Sequence, residues 1–310
     1  MSKHAGRFTS RTLWSLVAAA GLLSAVLGGC GKQSQKIVVG SKNFTEQKIL
    51  GHMFAELIEA HTDLTVERRV GLQGTLVCFN ALKEGDIHLY PEYTGTGLTA
   101  ILKEPVISEP DEAYAHVKSE FERRWGLSWL EPLGFNNTYT LTMRRDRAEK
   151  LGIRRISDLR DHADDLKPGF DHEFMSRPDG YEPLTKAYGF RFKHEPVGLD
   201  PGLMYRAIAD GRVEVIDAFA TDGRIPSFDL VILEDDRGFF PPYYAAPLVR
   251  QEVLEAHPEV ADALNRLAGK IDSAAMARMN YEVDENHRSP REVALEFLRA
   301  EGLVPTQQSG

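Results

Sequence analysis

Aromatic side chains recur where predicted strands end and turns begin. Tyr93, Tyr139 and Phe219 each lie at or next to a strand-like segment, and Tyr243 follows a pair of prolines. The face of an aromatic ring attracts a cation, at about 0.5–2 kcal/mol per ring. A quaternary ammonium carries a charge but no N–H group, so ring faces can enclose it where hydrogen bonds cannot hold it. Taken singly, each of these residues is explained as well by burial in a core.

The segment 85–98 reads as a short strand, a break at Pro91, and a turn rich in glycine and threonine that opens a helix. Because proline has no N–H group, we predict that strand pairing stops at Pro91. Thr94 and Thr96 can cap the helix or face a ligand. Open α/β sheets bind small molecules at such strand ends, although a capped turn with Tyr93 in the core is the alternative.

Motifs of catalysis and metal binding are missing from the sequence. It has no G-x-S-x-G, Walker, H-E-x-x-H or strand-linked G-x-G-x-x-G motif, and its histidines lack ligand spacing. Of the two cysteines, Cys78 lies among Leu76, Val77 and Leu82, which favours a small buried side chain over a nucleophile. The sequence therefore predicts no catalytic residue, no metal site and no cofactor.

Apolar patterns predict an α/β protein with two lobes. An apolar run at 37–40, a helical pattern at 49–58, an alternating strand at 64–70 and a helix ending at Gly85 form a parallel β-α-β unit. Further strands are predicted at 127–130, 213–219 and 230–233. Two extended segments, around 139–143 and 243–248, are interpreted as crossings between the lobes. Two lobes joined in this way enclose a hinged cleft for a small solute.

The N-terminus has the order of an export signal. Lys3, Arg7 and Arg11 precede an apolar run at 13–26, and small residues lead to Cys30. The run is short for a bilayer span, and the pattern resembles the bacterial lipoprotein signal, in which the cysteine becomes the lipidated first residue. An uncleaved anchor or a plain secretion signal is the alternative. We predict a signal peptide at 1–29 and a tether at 30–35.

The charge balance is acidic. The chain has a formal charge of −9, and removal of residues 1–29, which contain basic residues but no acidic ones, would make the remainder more negative. An acidic body lacks the electrostatic footprint of a nucleic-acid-binding protein.

Six blocks of sequence, in this order, are similar to the glycine betaine/choline substrate-binding proteins of osmoprotectant ABC transporters. They are VGSKNFTEQ at 39–47, YPEYTGTG at 90–97, FNNTY at 135–139, DHEF at 171–174, TDGRI at 221–225 and FFPPYY at 239–244. The resemblance covers nearly all of the chain after the signal segment. It implies a type II periplasmic-binding-protein fold with lobes at 36–139 plus 244–310 and at 140–243. It also implies a non-enzymatic protein that is anchored in the periplasm or at the cell surface through Cys30 and delivers solute to a permease driven by an ATPase.

The resemblance further implies a site with two chemistries. Tyr93, Tyr139 and Tyr243 would form an aromatic cage, with Phe219 as a fourth wall where family members commonly have tyrosine. Phenylalanine keeps the ring face and loses only the hydroxyl. A carboxylate clamp is implied at the residues Lys42, Thr96 and Arg177, and small shifts between blocks select Thr94 or Tyr244 instead. Thr94 is kept among the predicted ligand-binding residues.

The ligand is expected to be a trimethylammonium carboxylate such as glycine betaine. The same fold tuned to choline, carnitine or ergothioneine is the nearest alternative. An enzyme or a sensor lipoprotein that uses the cleft is a third possibility, of a different class.

Overall fold

The computed structural model describes residues 36–306, so the predicted signal peptide, the tether and Cys30 lie outside the described residues. The strands are β1 (Lys36–Gly40), β2 (Thr65–Arg69), β3 (Leu89–Tyr93), β4 (Leu127–Trp129), β5 (Tyr139–Arg144), β6 (Pro168–Asp171), β7 (Val197–Leu199), β8 (Val215–Phe219), β9 (Leu230–Ile232) and β10 (Ala245–Arg250).

Helices pack around these strands. They are α1 (Thr45–His61), α2 (Thr75–Glu84), α3 (Thr94–Thr96), α4 (Pro110–Trp125), α5 (Arg145–Leu151), α6 (His172–Ser176), α7 (Tyr181–Tyr188), α8 (Pro201–Ala209), α9 (Arg224–Ser227), α10 (Gln251–Ala256), α11 (Glu259–Asn265), α12 (Ser273–Asp284) and α13 (Pro290–Ala300). A π-helical turn, Gly97–Leu102, continues α3, and a 3-10 helix spans Ile156–Asp161. No helix within residues 36–306 is both long enough and apolar enough to cross a bilayer.

The first sheet has the strand order β2-β1-β3-β10-β4. Strand β1 is parallel to both β2 and β3, which confirms the predicted parallel unit. The apolar face of α1 is fully buried, with Ile49, Leu50 and Met53 all inaccessible to solvent. This burial contributes about 25 cal/mol per Å² of apolar surface and anchors α1 against the first sheet.

The second sheet has the order β7-β6-β8-β5-β9. Strands β6, β7 and β8 are parallel neighbours, and β5 runs antiparallel to β8 and β9. The chain passes from the first sheet to the second before Tyr139 and returns before Ala245. Each proposed lobe, 36–139 plus 244–310 and 140–243, would hold one sheet, with β5 beginning at the boundary.

The prediction that pairing stops at Pro91 is wrong. Strand β3 continues to Tyr93, and Pro91 lies opposite Pro247 of the antiparallel strand β10. On its other side β3 pairs with β1 only at Leu89, so no neighbour requires an N–H group from Pro91. Its carbonyl still accepts a hydrogen bond from the Gln47 side chain at 2.8 Å.

Two glycines after β3 allow close packing, as the sequence predicts. A Cβ atom at Gly95 would lie 2.7 Å from Cδ1 of Tyr243, and one at Gly97 would lie 2.9 Å from Cζ2 of Trp129. The groups that approach belong to the protein itself, and at Gly95 they include the carbonyl of Pro242. Gly95 therefore sets the position of the Tyr243 ring.

We expect Gly95→Ala to lower the free energy of unfolding by about 1–3 kcal/mol, because the added methyl group must displace Tyr243 or the carbonyl of Pro242. Urea unfolding followed by circular dichroism measures the change. Gly202→Ala is the matched control, since a Cβ there meets no atom within 4 Å. Equal stabilities for the two variants would contradict this account of Gly95.

Candidate ligand-binding site

A cavity of ≈ 450 Å³ lies between elements of the two sheets. Most of the residues predicted from the sequence line it: Lys42, Tyr93, Thr96, Tyr139, Arg177, Phe219 and Tyr243. They come from the end of β1, the end of β3 with α3, both crossings, the loop after α6 and the end of β8. The fold thus brings together residues that are far apart in the sequence.

The aromatic rings form a continuous wall. The ring centroid of Tyr139 lies 5.3 Å from that of Phe219 and 5.7 Å from that of Tyr243, the latter at 79° between the ring planes. Phe44, which the sequence analysis did not select, adds a further ring. It stacks on Phe219 at 5.5 Å and on Tyr93 at 6.4 Å. The only sequence signal for Phe44 is its place beside Lys42 in the block 39–47.

The stacked pair Phe44 and Phe219 also borders a second cavity of ≈ 290 Å³. Both rings line both cavities. The second cavity carries mainly polar and charged side chains, including Asp222, Arg224 and Asp284. The aromatic pair therefore lies between the two cavities.

Buried carboxylates hold the tyrosine rings in place. The hydroxyl of Tyr93 donates to Glu46 at 2.6 Å, and that of Tyr243 donates to Asp179. Both tyrosines are almost fully buried. The ring faces of both tyrosines attract cations of the protein: Nζ of Lys42 lies 5.4 Å from the ring centroid of Tyr93, and Cζ of Arg177 lies 5.8 Å from that of Tyr243.

Glu46 is the centre of a network that the sequence did not reveal. It is buried and accepts hydrogen bonds from Tyr93, Asn137, Thr221 and Asn280. Burial raises the pKa of Glu46, and these four partners oppose that rise. Thr221 belongs to the loop after β8, so the network ties α1 to the second sheet.

The two basic residues of the site each have a buried acidic partner. Nζ of Lys42 lies 2.6 Å from Oε1 of Glu92, and both side chains are buried. Arg177 donates from Nε and Nη2 to the two carboxylate oxygens of Asp179, at 2.8 and 2.9 Å. Thr99 donates to Asp179 at 2.7 Å. These pairs fix both cations in orientation, as a desolvated charge requires.

Thr94, which is also among the predicted ligand-binding residues, is not one of the residues that line the cavity. Its hydroxyl donates to the carbonyl of Pro242 at 2.9 Å and accepts from the N–H of Tyr244 at 3.1 Å. The return crossing therefore engages this hydroxyl both as a donor and as an acceptor. No feature of the sequence tells whether a threonine hydroxyl next to a strand end binds a ligand or the protein backbone.

Asp171 and Asp217 form an acidic pair behind the cage. The N–H of Asp171 donates to Oδ1 of Asp217 at 2.8 Å, and Asp171 lines the cavity. Burial raises the pKa of Asp171 to about 6; hydrogen bonds from the backbone of Glu173 and Phe174 and the electrostatic effect of His172 oppose this rise, whereas the charge of the Glu173 side chain adds to it. Burial, together with the charge of Asp171, also raises the pKa of Asp217.

Two further predictions concern reactive groups. Cys78 is buried, and burial raises the pKa of its thiol to about 12, so the predicted packing role is confirmed. Among residues 36–306, no cluster of three or more histidine, cysteine, aspartate or glutamate side chains could hold a metal ion.

Comparison with known proteins defines the class. The family model "Substrate binding domain of ABC-type glycine betaine transport system" matches residues 35–300. A carnitine transport binding protein of Listeria monocytogenes is 39% identical over 281 residues, which cover 90% of this chain and 91% of that protein. A glycine-betaine-binding protein of Pseudomonas aeruginosa is 37% identical over 307 residues, covering 95% of this chain and 96% of that protein.

A solved structure described as a glycine betaine/carnitine/choline ABC transporter is 35% identical, with a TM-score of 0.73, and covers 86% of this chain and 99% of that one. The fold is that of a two-lobed periplasmic binding protein, which confirms the predicted fold class. The chain belongs to the family of substrate-binding domains of ABC-type glycine betaine transport systems.

We expect the Asp171 carboxyl to make stability depend on pH. Its pKa is raised in the folded protein, so the folded state retains a proton that the unfolded chain releases, and stability falls as the pH rises from about 4 through about 6. Asp171→Asn should therefore stabilise the protein more at pH 8 than at pH 4.

Urea unfolding of wild type and variant at both pH values measures this difference. The exposed Asp164→Asn serves as the control, with the same small effect at both pH values. An effect of Asp171→Asn that does not change with pH would contradict the interpretation.

Proposed function

We propose that this protein captures a quaternary ammonium compatible solute of the glycine betaine type and presents it to the permease of an ABC importer. Substrate-binding proteins of such importers act outside the cytoplasm. The observation that carries the proposal is the ring wall of Tyr93, Tyr139, Phe219 and Tyr243 around a cavity of ≈ 450 Å³, with Phe44 as an additional ring.

The trimethylammonium group would lie against the ring faces. A cation enclosed in this way loses bound water. Its attraction to each ring face, about 0.5–2 kcal/mol, offsets part of the cost of that loss. Phe219 contributes a ring face without a hydroxyl, so its attraction for the cation is retained.

The carboxylate end of the ligand would point towards the residues Arg177, Lys42 and Thr96. Asp179 and Glu92 hold the two cations in position. A guanidinium offers a planar fork that matches a carboxylate, whereas an ammonium acts as a point charge. Nη1 of Arg177 is the edge of the guanidinium that Asp179 leaves free.

Choline is the second candidate, and the same ion pairs favour it. Lys42 and Arg177 already have buried carboxylate partners, so a ligand without a carboxylate leaves neither cation unpaired. Carnitine and ergothioneine share the trimethylammonium group and the carboxylate. All of these ligands would be bound without chemical change, because the protein is proposed to be a carrier and not an enzyme.

A calorimetric titration tests the proposal with glycine betaine, choline, carnitine and ergothioneine. Glycine serves as the control without methyl groups, and the neutral tert-butyl analogue of choline as the control without charge. We expect at least one quaternary ammonium ligand to bind and to remain intact, and both controls to bind much more weakly. Binding of none of the four, or conversion of the ligand to a product, would contradict the proposed function.

Phe219 offers a test of the ring wall within the protein. Phe219→Leu removes the ring and keeps an apolar side chain, so affinity for the bound ligand should fall by about 0.5–2 kcal/mol, roughly twofold to thirtyfold. Phe219→Tyr keeps the ring face and should bind nearly as tightly as wild type. Tight binding by the leucine variant would mean that cation–π attraction at this wall is not used.

We also propose that Cys30 is lipidated after cleavage of residues 1–29 and anchors the body at the membrane. The order of basic, apolar and small residues before the cysteine supports this proposal. Cys30→Ala should release the protein into the soluble fraction when cells are fractionated. An unmodified Cys30 in the wild-type protein, detected by mass spectrometry, would contradict lipidation.

A further inference from the structure

Glu173 reaches from α6, beside the second sheet, to the start of α2, beside the first. Oγ1 of Thr75 donates to its Oε1 at 2.5 Å. A Cβ atom at Gly74 would lie 2.8 Å from its Oε2, so the glycine leaves the space that this carboxylate fills. The side chain of Glu173 therefore bridges the two sides of the cleft.

The same carboxylate also faces the two basic residues of the proposed clamp. Its Oε1 lies 3.3 Å from Nη1 of Arg177, the nitrogen that does not contact Asp179. Burial acts to raise the pKa of Glu173, but Lys42, Arg177 and Thr75 outweigh it, and this pKa lies below its usual value. Glu173 is consequently an anion at neutral pH.

These contacts are the ones that an anionic ligand group would make. The beginning of α2 presents N–H groups and the positive end of a helix dipole, and Arg177 presents the free edge of its guanidinium. The side chain of Arg177 is 4% exposed and that of Glu173 is 32% exposed, so Glu173 is the partner nearer to the open cavity. Because Glu173 is more exposed than Arg177 and Asp179, displacing it would cost less packing than displacing either of them.

We propose that Glu173 acts as an internal substitute for a ligand carboxylate. Without a ligand it makes the contacts of that carboxylate, and it is displaced from them when a zwitterion binds. This inference rests on the proposed function and adds a residue that sets the preference between zwitterionic and purely cationic ligands. A zwitterion must displace Glu173 from Thr75 and Arg177, whereas choline can bind with Glu173 in place.

Removal of the charge has opposite consequences for the two ligand classes. For glycine betaine, Glu173→Gln removes a competitor for Arg177 and a charge that repels the ligand carboxylate. For choline, the same change removes a negative charge near a cationic ligand. The ratio of the two affinities therefore responds to Glu173 more clearly than either affinity alone.

The experiment is calorimetric titration of glycine betaine and choline into the wild type, Glu173→Gln and Thr75→Val. We expect Glu173→Gln to bind glycine betaine about threefold more tightly and choline about threefold less tightly, a change in the ratio of about tenfold, or about 1.4 kcal/mol. Thr75→Val keeps the charge but removes its anchor, so it should tighten glycine betaine and leave choline nearly unchanged. Glu195→Gln, at an exposed position on the same lobe, is the control and should leave the ratio unchanged.

An unchanged ratio in Glu173→Gln, or an equal loss for both ligands, would overturn the inference and leave Glu173 as a contact that only closes the cleft. If Glu173→Gln does not fold, as judged by its thermal unfolding, Thr75→Val carries the test with the same criterion. Wild-type protein that binds neither glycine betaine nor choline would overturn this inference, and the proposed function would be overturned as well only if carnitine and ergothioneine were not bound either. Binding by wild type with an unchanged ratio overturns the inference alone.

Discussion

A desolvated cation needs a partner, and the site is built on one such pair, Arg177 with Asp179. Asp179 also accepts from Thr99 of the first lobe and from Tyr243 of the return crossing, while Arg177 lies over the ring of Tyr139 at 5.2 Å. One ion pair thus fixes two rings of the cage and contacts both sides of the cleft. If either charge were removed, the other would be left buried without a partner, at a cost of several kcal/mol. The orientation of the clamp and the shape of the cage therefore depend on each other.

The cage also depends on small residues and on hydroxyl groups placed behind it. Gly95 leaves room for the Tyr243 ring, and Glu46 holds the Tyr93 hydroxyl. Phe219 has no hydroxyl to hold, and stacking against Phe44 takes the place of such a contact. Because Glu46 binds Thr221 as well, the position of a ring in the first lobe is linked to a loop in the second. This linkage provides a physical basis for coupling ligand binding to the contact between the lobes.

The local pattern of the sequence predicted the fold well where short-range rules apply. The apolar spacing of α1 and the glycine after α2 identified the parallel unit, and the ordered blocks identified the positions that line the cavity. Errors occurred where a distant partner decides the outcome. Pro91 remains paired because it lies opposite Pro247, which likewise has no N–H group. Phe44 and Glu46 were missed because most of their partners are distant in the sequence, and no local spacing reveals such contacts.

The central claim is that the ring wall holds a trimethylammonium group. A crystal structure of the protein grown with glycine betaine tests it most directly. We predict the quaternary nitrogen within about 6 Å of the ring centroids of Tyr93, Tyr139, Phe219 and Tyr243, with the ligand carboxylate towards Arg177. A ligand nitrogen outside these rings, in the charged cavity beyond Phe44 and Phe219, would contradict the account.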